Sequence, residues 1–203
     1  IDVNFFCINI VMSIYSDTFQ KNQYNLVQAA QRSQTWFQQQ ARLLTKQSIQ
    51  PMRLINSEPE RNRFRVVPGE LYLFMYDAKM QDELPYWDMF PLVFPFRKLK
   101  DGFIGLNMHY LPYKARVTLL SRLMDFKTNR LMNENTRLKY SWGVINGLSR
   151  YSFAKHCVHR YLANHLQTPL KKIDASDWAT AMMLPVERFV GASKQQVWSE
   201  SFK

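Results

Sequence analysis

Along the chain the spacing of apolar positions changes twice. From about Tyr15 to Ser48 they are sparse in a Gln-rich stretch, at Leu26, Ala29, Ala30, Trp36, Phe37, Ala41 and Leu44. That spacing is close to the helical repeat and predicts one long helix or two short ones. INSEPERNR (55–63) is charged, carries Pro59 and reads as a linker. The period then shortens to two. FRVVPGELYLFMYDA (64–78) opens on a Pro-Gly turn and continues as a strand in which Leu71, Leu73 and Met75 alternate with Tyr72, Phe74 and Tyr76. Both sets are apolar, so a strand covered on both faces is expected. PLVFPF (91–96) and FIGLNMHYL (103–111) flank Lys-Asp-Gly, the turn chemistry of a tight hairpin. Pro91 and Pro95 should bracket the first arm, where a missing donor is tolerated, and Pro85 should sit in a loop.

From Leu111 the helical period returns. Pro112 stands where a first-turn proline belongs, and Leu119, Leu120, Leu123 and Met124 follow at helical spacing. Leu138, Trp142, Ile145 and Leu148 predict a second helix over 137–149. Phe153, Cys157 and Tyr161 predict a third over 153–166. DASDWATAMMLP (174–185) predicts a fourth, with Asp174 or Ser176 as its cap and Pro185 as its stop. The expected fold class is α+β: an N-terminal helix, a small antiparallel β-sheet or barrel, then a basic helical C-terminal half. The divisions are 1–60 as a helical arm, 61–111 as the β core and 112–203 as the helical region packed on it, forming one compact domain.

Composition supports a packed core and bounds its setting. The chain has 203 residues, 46% hydrophobic and 14% aromatic, ample for one domain. The apolar run Val3–Ile14 is too short to span a bilayer and lacks the basic flank of a secretory signal. No membrane partner is expected. Met12 offers an internal start. Cys7 and Cys157 have no Cys-x-x-Cys spacing and suit a reducing compartment.

Charge changes the picture most. Residues 114–172 hold Lys114, Arg116, Arg122, Lys127, Arg130, Arg137, Lys139, Arg150, Lys155, Arg160, Lys171 and Lys172 against only Asp125 and Glu134. This surplus of ten accounts for nearly all of the chain's net +11. A basic block beside near-neutral flanks is the footprint of a polyanion, or else of an acidic protein neighbour. Read as electrostatic contacts to DNA, its candidates are Lys114, Arg116, Arg122, Arg150, Lys155, His159, Arg160, Lys171 and Lys172.

Catalytic patterns are thin. Asp77-Ala78-Lys79 is half of a metal-dependent nuclease signature, but Glu70, Asp82 and Glu83 supply no convincing second acid, so Asp77 should instead engage backbone amides or an arginine. His156, Cys157, His159 and His165 lack the second cysteine pair of a structural zinc site. Neither a phosphate-binding glycine loop nor a nucleophile elbow occurs in the sequence. The expectation is a protein that is not an enzyme, with no cofactor and no metal.

Four stretches carry a resemblance: PGELYLFMYDAK (68–79), LPYWDMFPLVFPF (84–96), DGFIGLNMHYLPYKAR (101–116) and MLPVERFVGASKQQVW (183–198). In order and spacing they resemble the DNA end protector family of contractile-tailed phages, over about residues 64–200. The resemblance implies a virion protein, assembled in the host cytoplasm, that caps the end of packaged double-stranded DNA without reading sequence and guards it from exonuclease. A structural adaptor contacting other neck, tail or baseplate proteins is the alternative. Asp77, Lys79, Tyr86, Asp88, Asn107, His109 and Tyr110 are motif members and read as architectural. Asp88 is expected to accept backbone N–H groups in a turn or to pair with Arg116.

Overall fold

The computed structural model describes residues 50–113, 115, 116, 119, 120, 123, 133–148 and 152–200. The helical arm expected before Ser48 lies outside them. Helix α1 (Pro51–Asn56) begins on a first-turn proline and buries Leu54 and Ile55. The stretch read as a linker is tied down. Glu58 takes a left-handed backbone (φ 46°), and a 3₁₀ turn (Pro59–Arg61) leads into β1 (Asn62–Arg63). Arg61 reaches Asp177 at 3.0 Å and Asp174 at 3.4 Å.

The centre is an open six-stranded antiparallel sheet, not a barrel. Its strands are β1, β2 (Leu71–Leu73), β4 (Leu92–Leu99), β5 (Gly102–Asn107), β6 (Val158–Leu162) and β7 (Leu170–Ile173), in the order β1-β7-β2-β4-β5-β6. Alternation sorts the side chains into two cores, as the doubly apolar β2 predicts. Leu71, Leu73, Leu92, Phe94, Leu106 and Ile173 join one; Tyr72, Phe74, Val93, Phe103, Tyr161 and Leu170 join the other. The first face is covered by Leu119, Leu120, Leu123, Ile145 and Trp178, with Trp178 edge-on to Phe94 at 5.0 Å. The second is closed by Val66, Tyr76, Ala78 and Trp87.

The Lys-Asp-Gly hairpin is β4–β5, closed at Leu99↔Gly102. Its second arm stops at Asn107, because residues 108–110 turn into a 3₁₀ helix capped by the Asn107 side chain, which accepts from His109 N. Pro95 lies inside β4, not at its end. It pairs with Gly105 just before a register shift, beyond the last β2 partner, Val93. A bulge past the end of the neighbouring ladder is where a strand tolerates a missing donor.

Two strands of this sheet, β6 and β7, come from the half expected to be helical, as does the separate two-residue strand Phe189–Val190. Residues 153–166 form a short helix α3 (Ser152–Lys155) and then β6. β5 offers an unpaired edge, and its Gly102 lets the chain come close: a Cβ there would lie 2.0 Å from Tyr161 O. Val158 and Tyr161 suit a strand, and Tyr161 meets the rings of Phe103 at 5.3 Å and Phe74 at 5.4 Å. Strands therefore extend beyond residue 111.

The remaining helices follow the pattern more closely. Ala115 N and Arg116 N both donate to Pro112 O, so the helix does begin at Pro112. Helix α2 (Glu134–Leu148) buries Ile145, while half-exposed Trp142 donates to Phe96 O at 2.8 Å. Helix α4 (Trp178–Met183) starts later than expected. Asp177 precedes it without capping and gives its carboxylate to Arg61. A further helix, α5 (Lys194–Glu200), lies in the region expected to be helical but was not placed individually by the sequence. Among the described residues no helix is long and apolar enough to cross a membrane.

Candidate functional site

The two-residue strands β3 (Trp87–Asp88) and β8 (Phe189–Val190) pair with each other and bring the second and fourth motifs together. Asp88, fully enclosed, accepts from His109 Nδ1 at 2.8 Å, Phe90 N at 3.1 Å, Asn107 Nδ2 at 3.2 Å and Arg188 N at 3.2 Å. Burial pushes its carboxyl up, but His109 and these donors outweigh it and hold the group below its ordinary range. The backbone-accepting role expected of Asp88 is thus seen; the pairing with Arg116 is not. Arg116 donates to Leu111 O at 2.7 Å, Met182 O at 2.9 Å and His109 O at 3.1 Å. Its charge partner is Glu187, 3.7 Å away and equally buried. Burial raises the Glu187 carboxyl, and Arg116, His109 and Lys194 together bring it below the usual range. Trp198 Nε1 also donates to His109 O. Most of these contacts lie inside the core, with those of Arg188 and Trp198 at its margin, and they lock motif segments to one another.

Beside this network a cleft of about 820 Å³ opens between residues 76–88 and strand β6. Tyr76, Tyr86, Tyr110, His156, His159 and Tyr161 line it, with Lys79, Met80, Leu84, Arg160 and Glu200 also on its walls. The Tyr86 hydroxyl donates to Glu200 Oε2 at 2.5 Å and lies 3.0 Å from His156 Nε2. Desolvation sets the protonation of the interior. It raises the phenols of Tyr86, Tyr110 and Tyr161, lowers His156, and brings His159 down to about 4. His159 stacks obliquely on Tyr110, with ring centroids 4.2 Å apart, and its Nε2 is buried without a hydrogen-bond partner. At neutral pH the tyrosines and both histidines are therefore uncharged, and the acids among the lining, Asp88, Asp101 and Glu200, are each held by a hydrogen bond or ion pair.

The basic block is scattered by the fold. Lys114, Arg122 and Arg150 lie outside the described residues. Arg116 is enclosed, and Lys171 is buried with its ammonium on Ser57 O and Glu58 O, so neither presents charge to solvent. Lys172 pairs with Glu70 at 2.9 Å and exposed Arg160 with Asp101 at 2.5 Å. Lys155 is exposed, and His159 belongs to the cleft. Asp77 accepts from Gln81 Nε2 at 2.5 Å, in place of the amides or arginine expected, and Lys79 is exposed. Among the described residues no group of three or more His, Cys, Asp or Glu is placed to hold a metal ion. Cys157 is buried and its thiol is pushed up to about 12 by burial. Sequence reasoning assigned no role to Glu187 or Glu200; the first stands in MLPVERF, but its partner Arg116 is distant in sequence.

Compared with known proteins, the chain is matched over residues 7–201 by the model of a family described as the phage T4 terminal DNA protecting protein. No curated protein and no solved structure matches it.

Proposed function

The chain belongs to the family of the phage T4 terminal DNA protecting protein, and from that premise we propose that it protects a phage DNA end by occupying it. The match along almost the whole chain carries this reading. The protein acts in the virion, alongside other neck, tail or baseplate proteins, and denies exonuclease its substrate without reading sequence. Exposed cations provide the attraction: Lys139 on α2 and Lys155 on α3, with exposed Arg160 on β6 shared with Asp101. Each phosphate they neutralise releases condensed counterions, so the affinity is salt-dependent by nature.

The test is digestion of linear duplex by exonuclease with and without the protein, together with affinity for that duplex across a salt series. Protected ends and a log–log slope of about −0.9 per phosphate contact are expected. Absence of binding at low salt overturns the reading.

A further inference from the structure

We propose that the aromatic cleft beside β6 seats the terminal nucleotide of the DNA, its base lifted off the duplex end and laid against Tyr86, Tyr110 and His159. The proposal rests on the end-binding reading and names the site that recognises an end as an end. A protein that held DNA only by surface lysines would bind anywhere along a duplex; protection requires something that only a terminus can supply. A terminal base has a stacking neighbour on one side alone, so of all bases in a duplex it is the easiest to move onto another aromatic surface.

The cleft fits such a guest. Its 820 Å³ falls within the roughly 300–1,000 Å³ of small-molecule sites, ample for one nucleotide. Its walls combine uncharged tyrosine and histidine rings with the carboxyl groups of Asp88 and Glu200, which suits a base and disfavours a bare phosphate. Stacking on tyrosine tolerates any sequence, because every base has a π face. His159 Nε2, buried without a partner, leaves one polar contact for a base edge. The acids on the walls are already engaged: Asp88 by His109, Asp101 by Arg160 and Glu200 by Tyr86. Lys79, exposed at the mouth, takes part in none of the ion pairs among the described residues. It is placed to meet the phosphate behind the seated nucleotide.

The test compares a linear duplex with the same duplex closed by hairpin loops at both ends, using the full chain. The linear form should bind roughly tenfold tighter or more, the scale of one base–aromatic stack. A linear duplex whose terminal nucleotides lack their bases should lose that preference against the unaltered protein, which removes any question of misfolding. Tyr86→Leu should lose the preference too, while keeping the wild-type salt slope on hairpin-closed DNA. Equal binding of linear and closed duplex, or an undiminished preference for base-less ends, overturns the cleft assignment and leaves end binding through the basic surface standing. Failure to bind either duplex overturns both.

Discussion

Arg116 is the residue on which most of the core network turns. It satisfies three carbonyls and stands against Glu187 where no water reaches. Removing one partner of a buried pair leaves the other charge stranded, at a cost of about 3–5 kcal/mol. Arg116→Met should therefore lower the urea midpoint severely, whereas Lys79→Ala, at an exposed position, should stay within about 0.5 kcal/mol of wild type. Similar midpoints for the two would refute the network. Protons act on the same side chains. Asp88 and Glu187 are held below their ordinary values of 3.8 and 4.5, so their contribution is complete above those values and is lost as pH falls through the lower folded ones. His159 adds an earlier loss. Neutral when folded until about pH 4 but protonated below 6.5 when unfolded, it favours unfolding progressively as pH drops from 6.5 to 4. The midpoint should decline from pH 6.5 and more steeply near 4, and His159→Gln should remove most of the upper part, leaving the share of His156, which burial also lowers. A flat midpoint between pH 7 and 5 in the wild type would contradict the buried neutral imidazole.

At the scale of elements, the cleft depends on how the 84–88 segment is held against β8. Gly191 sits at φ +86°, and a Cβ there would lie 2.7 Å from Pro85 O, a backbone atom that cannot rotate away. Gly191→Ala should destabilise by more than about 1 kcal/mol and loosen β3 from β8; amide exchange at Met89, which donates to Arg188 O, should accelerate before exchange in β4 does. Unchanged exchange there would mean that the bridge does not depend on this glycine. The hairpin was legible because Lys-Asp-Gly and its flanking apolar runs are local signals, and the doubly apolar β2 because alternation survives in six residues. β6 was not. Phe153, Cys157 and Tyr161 fall at helical spacing, yet the chain at Val158 finds the open edge of β5, and backbone pairing from Gly102 to Leu106 outweighs the local period.

For the whole molecule, burial decides which part of the net charge can meet DNA. Arg116 and Lys171 are spent on carbonyls and carboxylates inside the protein and Arg160 is paired with Asp101, while Lys139 and Lys155 are exposed. Lys139→Gln with Lys155→Gln, two exposed cations in none of the ion pairs among the described residues, should flatten the salt slope of duplex binding by about two units, near 0.9 per contact. Lys171→Met should leave the slope unaltered and show its effect in stability. A slope that responds to Lys171 and ignores the exposed pair would invert this assignment.

The sequence by itself determined the strand-bearing middle, the Lys-Asp-Gly hairpin, the helix beginning at Pro112, the basic surplus and the four motifs that mark the family. Each of these is written in neighbouring residues or in composition. Only the tertiary structure decided that Arg116 and Lys171 are internal, because their carbonyl and carboxylate partners lie as far away as Met182, Glu187 and Ser57. It also decided that His156, His159, Tyr86 and Glu200 share one cleft. A charge's role depends on what covers it, and coverage is set by chain segments distant in sequence, which no local period can record.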